Sequence, residues 1–206
     1  MHDRLVDRTI GSYIESLGGE EAMPGGGSAA GIVAALSAAA AQLMASLTKE
    51  PTDRLRSAAS RLVDLRERAL QCAEADERAY GSYLDALSLP KNSPEEKAAR
   101  RARMAETLEE SARVPVTLAV VAVEIVDAME NVILDGNKTV LSDAETALVL
   151  AKAVVDVCEI NVKSNLTYIK DEALADDLRE SIEAASEMIV HLSTERRTQI
   201  ADRRSQ

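Results

Sequence analysis

Met23-Pro24-Gly25-Gly26-Gly27-Ser28, followed by an uncharged run from Ala29 to Leu47, is the stretch around which the chain is organised. Six of the nine glycines fall between Gly18 and Gly31. Glycine reaches backbone angles other residues avoid and lets backbone or ligand approach closely. Ser28 is a favourable helix N-cap, and Ala29-Ala30-Gly31-Ile32-Val33-Ala34-Ala35-Leu36 then reads as the opening turns of a helix. The free N–H groups of such a start, with the helix dipole behind them, attract a carboxylate or a phosphate. Two readings stand side by side. The loop is an anion cradle, or it is a tight turn into a central helix whose small residues only permit close packing.

The run from Ala29 to Leu47 carries no charge over 19 residues. That length raises the question of a membrane span. Alanine dominates it, however, and Ser37, Gln42 and Ser46 interrupt it. Glu15, Glu20 and Glu21 precede it, where a signal peptide would carry positive charge. A helix apolar on all sides in a soluble protein is a buried one. The expectation is a buried central helix in an all-α domain, with no membrane partner.

Composition narrows the function classes. With 206 residues the chain suits a single domain spanning 1–206. Hydrophobic residues make up 46% but aromatics only 2%, so Ala, Leu and Val must fill the core. Few aromatics argue against base stacking, and a net charge of −11 disfavours nucleic acid and anionic membrane. An anionic small molecule needs only a local positive pocket. Cys72 and Cys158 have no metal-ligand spacing and read as free thiols in a reducing cytoplasm. His2 is terminal, and His191 sits in an apolar helical stretch far from it, so no metal site or triad built on histidine is expected.

The rest of the chain reads as successive helices. Residues 3–17 are weakly amphipathic and end at Gly18-Gly19. Apolar spacing over Asp53 to Leu87 is helical. Leu89-Pro90-Lys91-Asn92 is a loop, and Ser93-Pro94-Glu95-Glu96 is a strong helix start that leads to about Leu134. Pro115 is expected to kink or divide that helix. After the turn at Asp135-Gly136-Asn137-Lys138, Ser142-Asp143-Ala144-Glu145 reads as a second capping box, opening a helix to about Ile169. Asp171 caps a last helix that frays into a basic tail over about 196–206. No stretch alternates as a strand does.

Taken singly, the polar candidates name no reaction. Asp76, in Glu74-Ala75-Asp76-Glu77-Arg78-Ala79-Tyr80, fits a solvated helix face, and Asp143 beside an N-cap fits dipole stabilisation. Asn161 and Asn165, four apart among Ile160, Val162 and Leu166, form a polar stripe toward a helix partner or a ligand. Lys163 and Lys170 read as surface residues.

Taken in order, the segments resemble the formiminotetrahydrofolate cyclodeaminase and methenyltetrahydrofolate cyclohydrolase family. The resemblance rests on Pro24-Gly25-Gly26-Gly27-Ser28-Ala29-Ala30, Asp76-Glu77-Arg78-Ala79-Tyr80, Leu89-Pro90-Lys91 and Val114-Pro115. It continues through Gly136-Asn137, Ser142-Asp143-Ala144, Asn161-Val162 with Asn165, and Ile169-Lys170-Asp171. The chain departs from it at Val157-Cys158, where relatives carry a small Gly-Ala pair, and at Tyr80, where many have Phe.

The resemblance implies an antiparallel helical bundle that dimerises, a folate cleft lined by the glycine loop and later helices, and no cofactor or metal beyond the tetrahydrofolate substrate. The implied reactions are ring closure of 5-formiminotetrahydrofolate with loss of ammonia, or opening of 5,10-methenyltetrahydrofolate by water. Each passes through a tetrahedral carbon between two nitrogens and needs a base and an acid. It is the resemblance, and not spacing, that singles out Asp76 and Asp143 as catalytic. It equally assigns Gly25, Gly26, Gly27, Ser28, Lys91, Asn137, Asn161 and Asn165 to substrate binding. A non-catalytic helical scaffold or dimerisation module that keeps the fold is the alternative.

Overall fold

The computed structural model describes residues 5–206, so His2 lies outside the described residues. Six α-helices follow one another: α1 (Ile10–Leu17), α2 (Gly26–Ser46), α3 (Asp53–Ser88), α4 (Pro94–Asp135), α5 (Leu141–Leu166) and α6 (Glu172–Ser205). Short 3-10 turns at Leu5–Asp7 and Lys138–Val140 complete the described secondary structure, which contains no strand. This is the expected all-α bundle. Short connections between long helices force neighbours to run antiparallel.

Local chemistry sets most of the boundaries. Thr9, Thr52 and Asp171 each cap a helix by accepting a backbone N–H three residues on. Ser93 and Glu96 form the expected reciprocal capping box, with Pro94 at the first helical position. The second expected box does not form. α5 begins two residues earlier, at Leu141 with Val140 as its N-cap, and no side chain caps it. The chain enters α5 straight from a 3-10 turn, which already supplies helical geometry. Nor does Pro115 divide α4, which is continuous from Pro94 to Asp135.

α2 packs on α3, α4 and α5. Alanines at 34, 38 and 41 and Met44 are fully buried. Each alanine buries little area, so cohesion comes from close approach and many weak contacts. Gly31 shows how close: a Cβ there would meet the Ala73 Cβ at 2.7 Å and the Ala69 carbonyl oxygen at 2.9 Å. Ser37 donates to the Ala147 carbonyl at 2.8 Å and so ties α2 to α5.

Burial on all sides, however, does not hold. Leu36 is 55% exposed, and Leu43 and Leu47 share that side of α2. By length and hydropathy α2 is also long and apolar enough to cross a bilayer, with half of it buried in the bundle.

One end of the bundle is latched by charge. Arg54 and Thr52 at the start of α3 hold Asp135 at the end of α4. Arg203 donates to the carbonyls of Ile133 at 3.0 Å and Gly136 at 2.9 Å, capping α4. Arg204 pairs with Glu145. The expected frayed basic tail is therefore a working part of the fold. α6 stays helical to Ser205, and Arg196, only 4% exposed, donates to the Val126 carbonyl.

Candidate functional site

The site lies at the other end, where α2 begins. Gly25 is the N-cap of α2, three residues before Ser28, and it has no side chain with which to cap. The expected N-cap role of Ser28 is thus overturned: Ser28 lies inside the first turn and is fully buried. The helix start does hold a carboxylate, and that carboxylate belongs to the chain itself. Asp76, on α3, accepts the Ser28 backbone N–H at 2.9 Å. Gly27 makes room for it, since a Cβ at 27 would sit 2.1 Å from Asp76 Oδ1.

Beneath this contact runs a chain of hydrogen bonds. Tyr13 donates its hydroxyl to Ser28 Oγ at 3.1 Å, and Ser28 Oγ donates to Glu77 Oε1 at 2.9 Å. Arg8 clasps Glu77 with both terminal guanidinium nitrogens, at 3.2 and 2.9 Å. Burial pushes the Asp76 carboxyl above its ordinary range, and the neighbouring Glu77 adds to this, while the Ser28 N–H opposes it. Burial likewise raises the Tyr13 phenol.

Asp76 forms part of the wall of a cavity of about 210 Å³. Gly25, Gly26 and Gly27 line one side, Glu77 and Tyr80 of α3 another, and Asn161, Ser164 and Asn165 of α5 a third. α4 contributes Ser111 and Pro115. Proline has no N–H, so Pro115 leaves the Ser111 carbonyl without its usual helical partner at the cavity wall. The amide pair comes from the last turns of α5, where spacing by four keeps both on one face. Met23–Pro24, a cis peptide, leads into the loop. A second, acidic depression of about 570 Å³ is lined by Ser12, Glu15, Ser16, Gly19, Glu20 and Glu21, and its three carboxylates repel an anionic ligand.

The structure therefore gathers Gly25, Gly26, Gly27, Asp76, Asn161 and Asn165 at one cavity. Ser28 lies just beneath it, with its N–H given to Asp76 and its hydroxyl to Glu77, so it orders the carboxylates instead of meeting a ligand. Three other residues are elsewhere. Asp143 sits in the first turn of α5, 18 residues and about 27 Å along the helix from Asn161. Asn137 starts the second 3-10 turn and donates to the Leu47 carbonyl at 3.0 Å, at that same latched end. Lys91 is exposed in the loop between α3 and α4.

Sequence reasoning missed Glu77, Arg8, Tyr13, Ser111 and Ser164. Glu77 was legible only as the neighbour of Asp76, and Tyr13 only as an apolar position of the first helix. Cys158, at the Val157-Cys158 departure, is fully buried, and its thiol is pushed up to about 12, chiefly by burial, with Cys72 and Asp76 adding to the effect. Among the described residues, no group of three His, Cys, Asp or Glu side chains is placed to hold a metal ion.

Comparison with known proteins points one way. A family profile described as Formiminotransferase-cyclodeaminase matches residues 9–184. The chain is 32% identical over 184 residues to the Formimidoyltransferase-cyclodeaminase of Rattus norvegicus, covering 86% of this chain and 34% of that one. It thus spans about a third of the length of such relatives. It is also 32% identical over 183 residues to the Methenyltetrahydrofolate cyclohydrolase of Methylorubrum extorquens, covering 86% of this chain and 88% of that one. The crystal structure of formiminotetrahydrofolate cyclodeaminase from Thermotoga maritima has the same fold, with a TM-score of 0.83 at 22% identity over 96% of this chain and 98% of that one.

Proposed function

The chain belongs to the formiminotransferase-cyclodeaminase family, and from that membership we propose that it is a folate one-carbon enzyme acting on 5-formiminotetrahydrofolate or 5,10-methenyltetrahydrofolate. One observation carries the reading: a half-buried carboxylate with a raised pKa, Asp76, at the wall of a cavity that also presents the amides of Asn161 and Asn165. Both substrates carry a one-carbon unit between two nitrogens, and both need a proton taken and a proton returned.

In the hydrolytic reaction, water attacks the methenyl carbon and Asp76 takes its proton. The bond from that carbon to N5 breaks as N5 receives that proton, the remaining hydroxyl proton passes to solvent as the formyl carbonyl forms, and 10-formyltetrahydrofolate leaves. In the deaminating reaction, N10 attacks the carbon of the protonated formimino group, Asp76 takes the N10 proton and passes it to the amino nitrogen, and the bond from carbon to that nitrogen breaks to release ammonia and leave the methenyl cation. The ionised Asp76 also stabilises the cationic amidinium of the methenyl form. Asn161 and Asn165 orient the substrate through their amides, and the bare backbone of Gly25 and Gly26 lets it approach. At about 210 Å³ the cavity takes only the reacting end, since drug-sized sites run from roughly 300 to 1,000 Å³. The remainder of the folate then extends across the surface.

The reading also includes a homodimer in the cytoplasm. The outward side of α2, with Leu36, Leu43 and Leu47 exposed, is the face offered to a second copy. Loss of methenyltetrahydrofolate absorbance above the uncatalysed rate is the expected result for hydrolysis, and ammonia release from 5-formiminotetrahydrofolate for deamination. A purified, folded chain that does neither overturns the enzymatic reading.

A further inference from the structure

Asp76 and Glu77 are consecutive carboxylates beside a single helix N-terminus, and of the two only Asp76 accepts the Ser28 backbone N–H. The structure divides them through one residue. Ser28 gives its backbone N–H to Asp76 at 2.9 Å and its hydroxyl to Glu77 at 2.9 Å. What keeps Glu77 on the hydroxyl side is Arg8, which pairs with both of its oxygens from the segment that precedes α1. Arg8 is 68 residues from Asp76 in the chain's numbering, lies one residue before the family match, and does not line the cavity.

We propose that Arg8 is a positioning residue for Asp76: by neutralising and anchoring Glu77, it leaves the start of α2 to Asp76 and keeps a second negative charge from acting on the reacting end of the cavity. This rests on the reading of Asp76 as the carboxylate that meets the substrate. The surroundings make Arg8 the decisive charge. The N-terminal segment contributes Arg8 and Tyr13, and Tyr13 is a neutral phenol that burial makes still harder to ionise. α2 contributes no charged side chain, only its N–H groups. α4 presents Ser111 and Pro115 to the cavity, and α5 presents Asn161, Ser164, Asn165 and, below them, the protonated Cys158 thiol. On α3 itself, Cys72 is buried and its thiol raised, and Glu74 lies within 3.9 Å of Arg78. Removing Arg8 thus leaves Glu77 uncompensated beside Asp76, and a like charge raises a carboxyl pKa.

The test is a direct titration of the Asp76 carboxyl by carbon NMR in the full chain, alongside the pH profile of folate turnover. In Arg8→Gln the Asp76 midpoint is expected to rise by about half a pH unit to one unit, with the acid limb of turnover moving the same way. Arg8→Lys, which keeps the charge, is expected to stay near wild type. Arg8→Gln with Glu77→Gln is expected to bring the midpoint back, and it also serves if Arg8→Gln alone folds poorly. An Asp76 midpoint that is unchanged in Arg8→Gln, or not restored in the double variant, overturns the proposal. Failure of the catalytic reading shows itself separately, as turnover that survives Asp76→Asn.

Discussion

Two neighbouring residues at the start of α2 illustrate how little of a glycine motif is equivalent at residue scale. Gly26 faces open space, whereas Gly27 touches Asp76. Gly27→Ala is therefore expected to displace the Asp76 carboxylate and lower kcat/KM on the order of a hundredfold, with helical circular dichroism preserved. Gly26→Ala is expected to cost less, and steady-state kinetics on both variants checks the order. For Asp76 itself, activity and stability are expected to part. Its folded pKa is raised, so at neutral pH the ionised group weighs against the folded state, and that penalty fades as pH falls through the raised value. Asp76→Asn is expected to lose a hundredfold or more in turnover while its Tm at pH 7 holds or rises. Asp143→Asn, at the far end of α5, is expected to stay within about threefold of wild type, as its distance from the cavity dictates.

Among the elements, the α2–α3 contact and the latch at the end of α4 are the points most open to a single change. Gly31→Val drives two methyl groups into Ala73 and the Ala69 carbonyl, where both helices are backbone-close. The expected loss is about 1–3 kcal/mol in a denaturant titration, the usual cost of overpacking. At the latch, Arg54 holds the Asp135 carboxyl below its ordinary range, with Thr52 and Arg203 adding to this. A depressed folded pKa contributes stability that is present above the unfolded value and is lost as pH falls through the folded one. Asp135→Asn is expected to melt earlier than wild type at neutral pH. The difference should shrink as pH drops below about 4, the ordinary aspartate value, and thermal scans across pH check this. A difference that persists undiminished at low pH would assign the effect to packing.

At the scale of the whole molecule, the outer side of α2 is apolar and exposed. An uncharged helix that leaves Leu36 and Leu43 exposed has an apolar side unpartnered in one chain. Replacing both by Glu is expected to convert a dimer to a monomer in light scattering, since a charge cannot be desolvated unpaired without large cost. Wild type at monomer mass under micromolar conditions would end the dimer reading. By itself, the sequence determined the helices and most of their boundaries. Capping residues and the 3.6-residue apolar period act within a few positions of one another, so they can be read locally, as at Ser93 and Asp171. It also determined the family, because an ordered set of short motifs is specific where each alone is weak. The position of Ser28, the working tail at Arg203 and the split between Asp76 and Asp143 were decided only by the tertiary structure. Each depends on contacts between residues tens of positions apart: Asp76 reaches Ser28 across 48 residues, Arg203 reaches Gly136 across 67, and α5 is long enough to carry Asp143 to the opposite end of the bundle from the cavity. A local pattern records what a residue favours nearby, and it holds no record of which distant backbone N–H or carbonyl folding will place against its side chain.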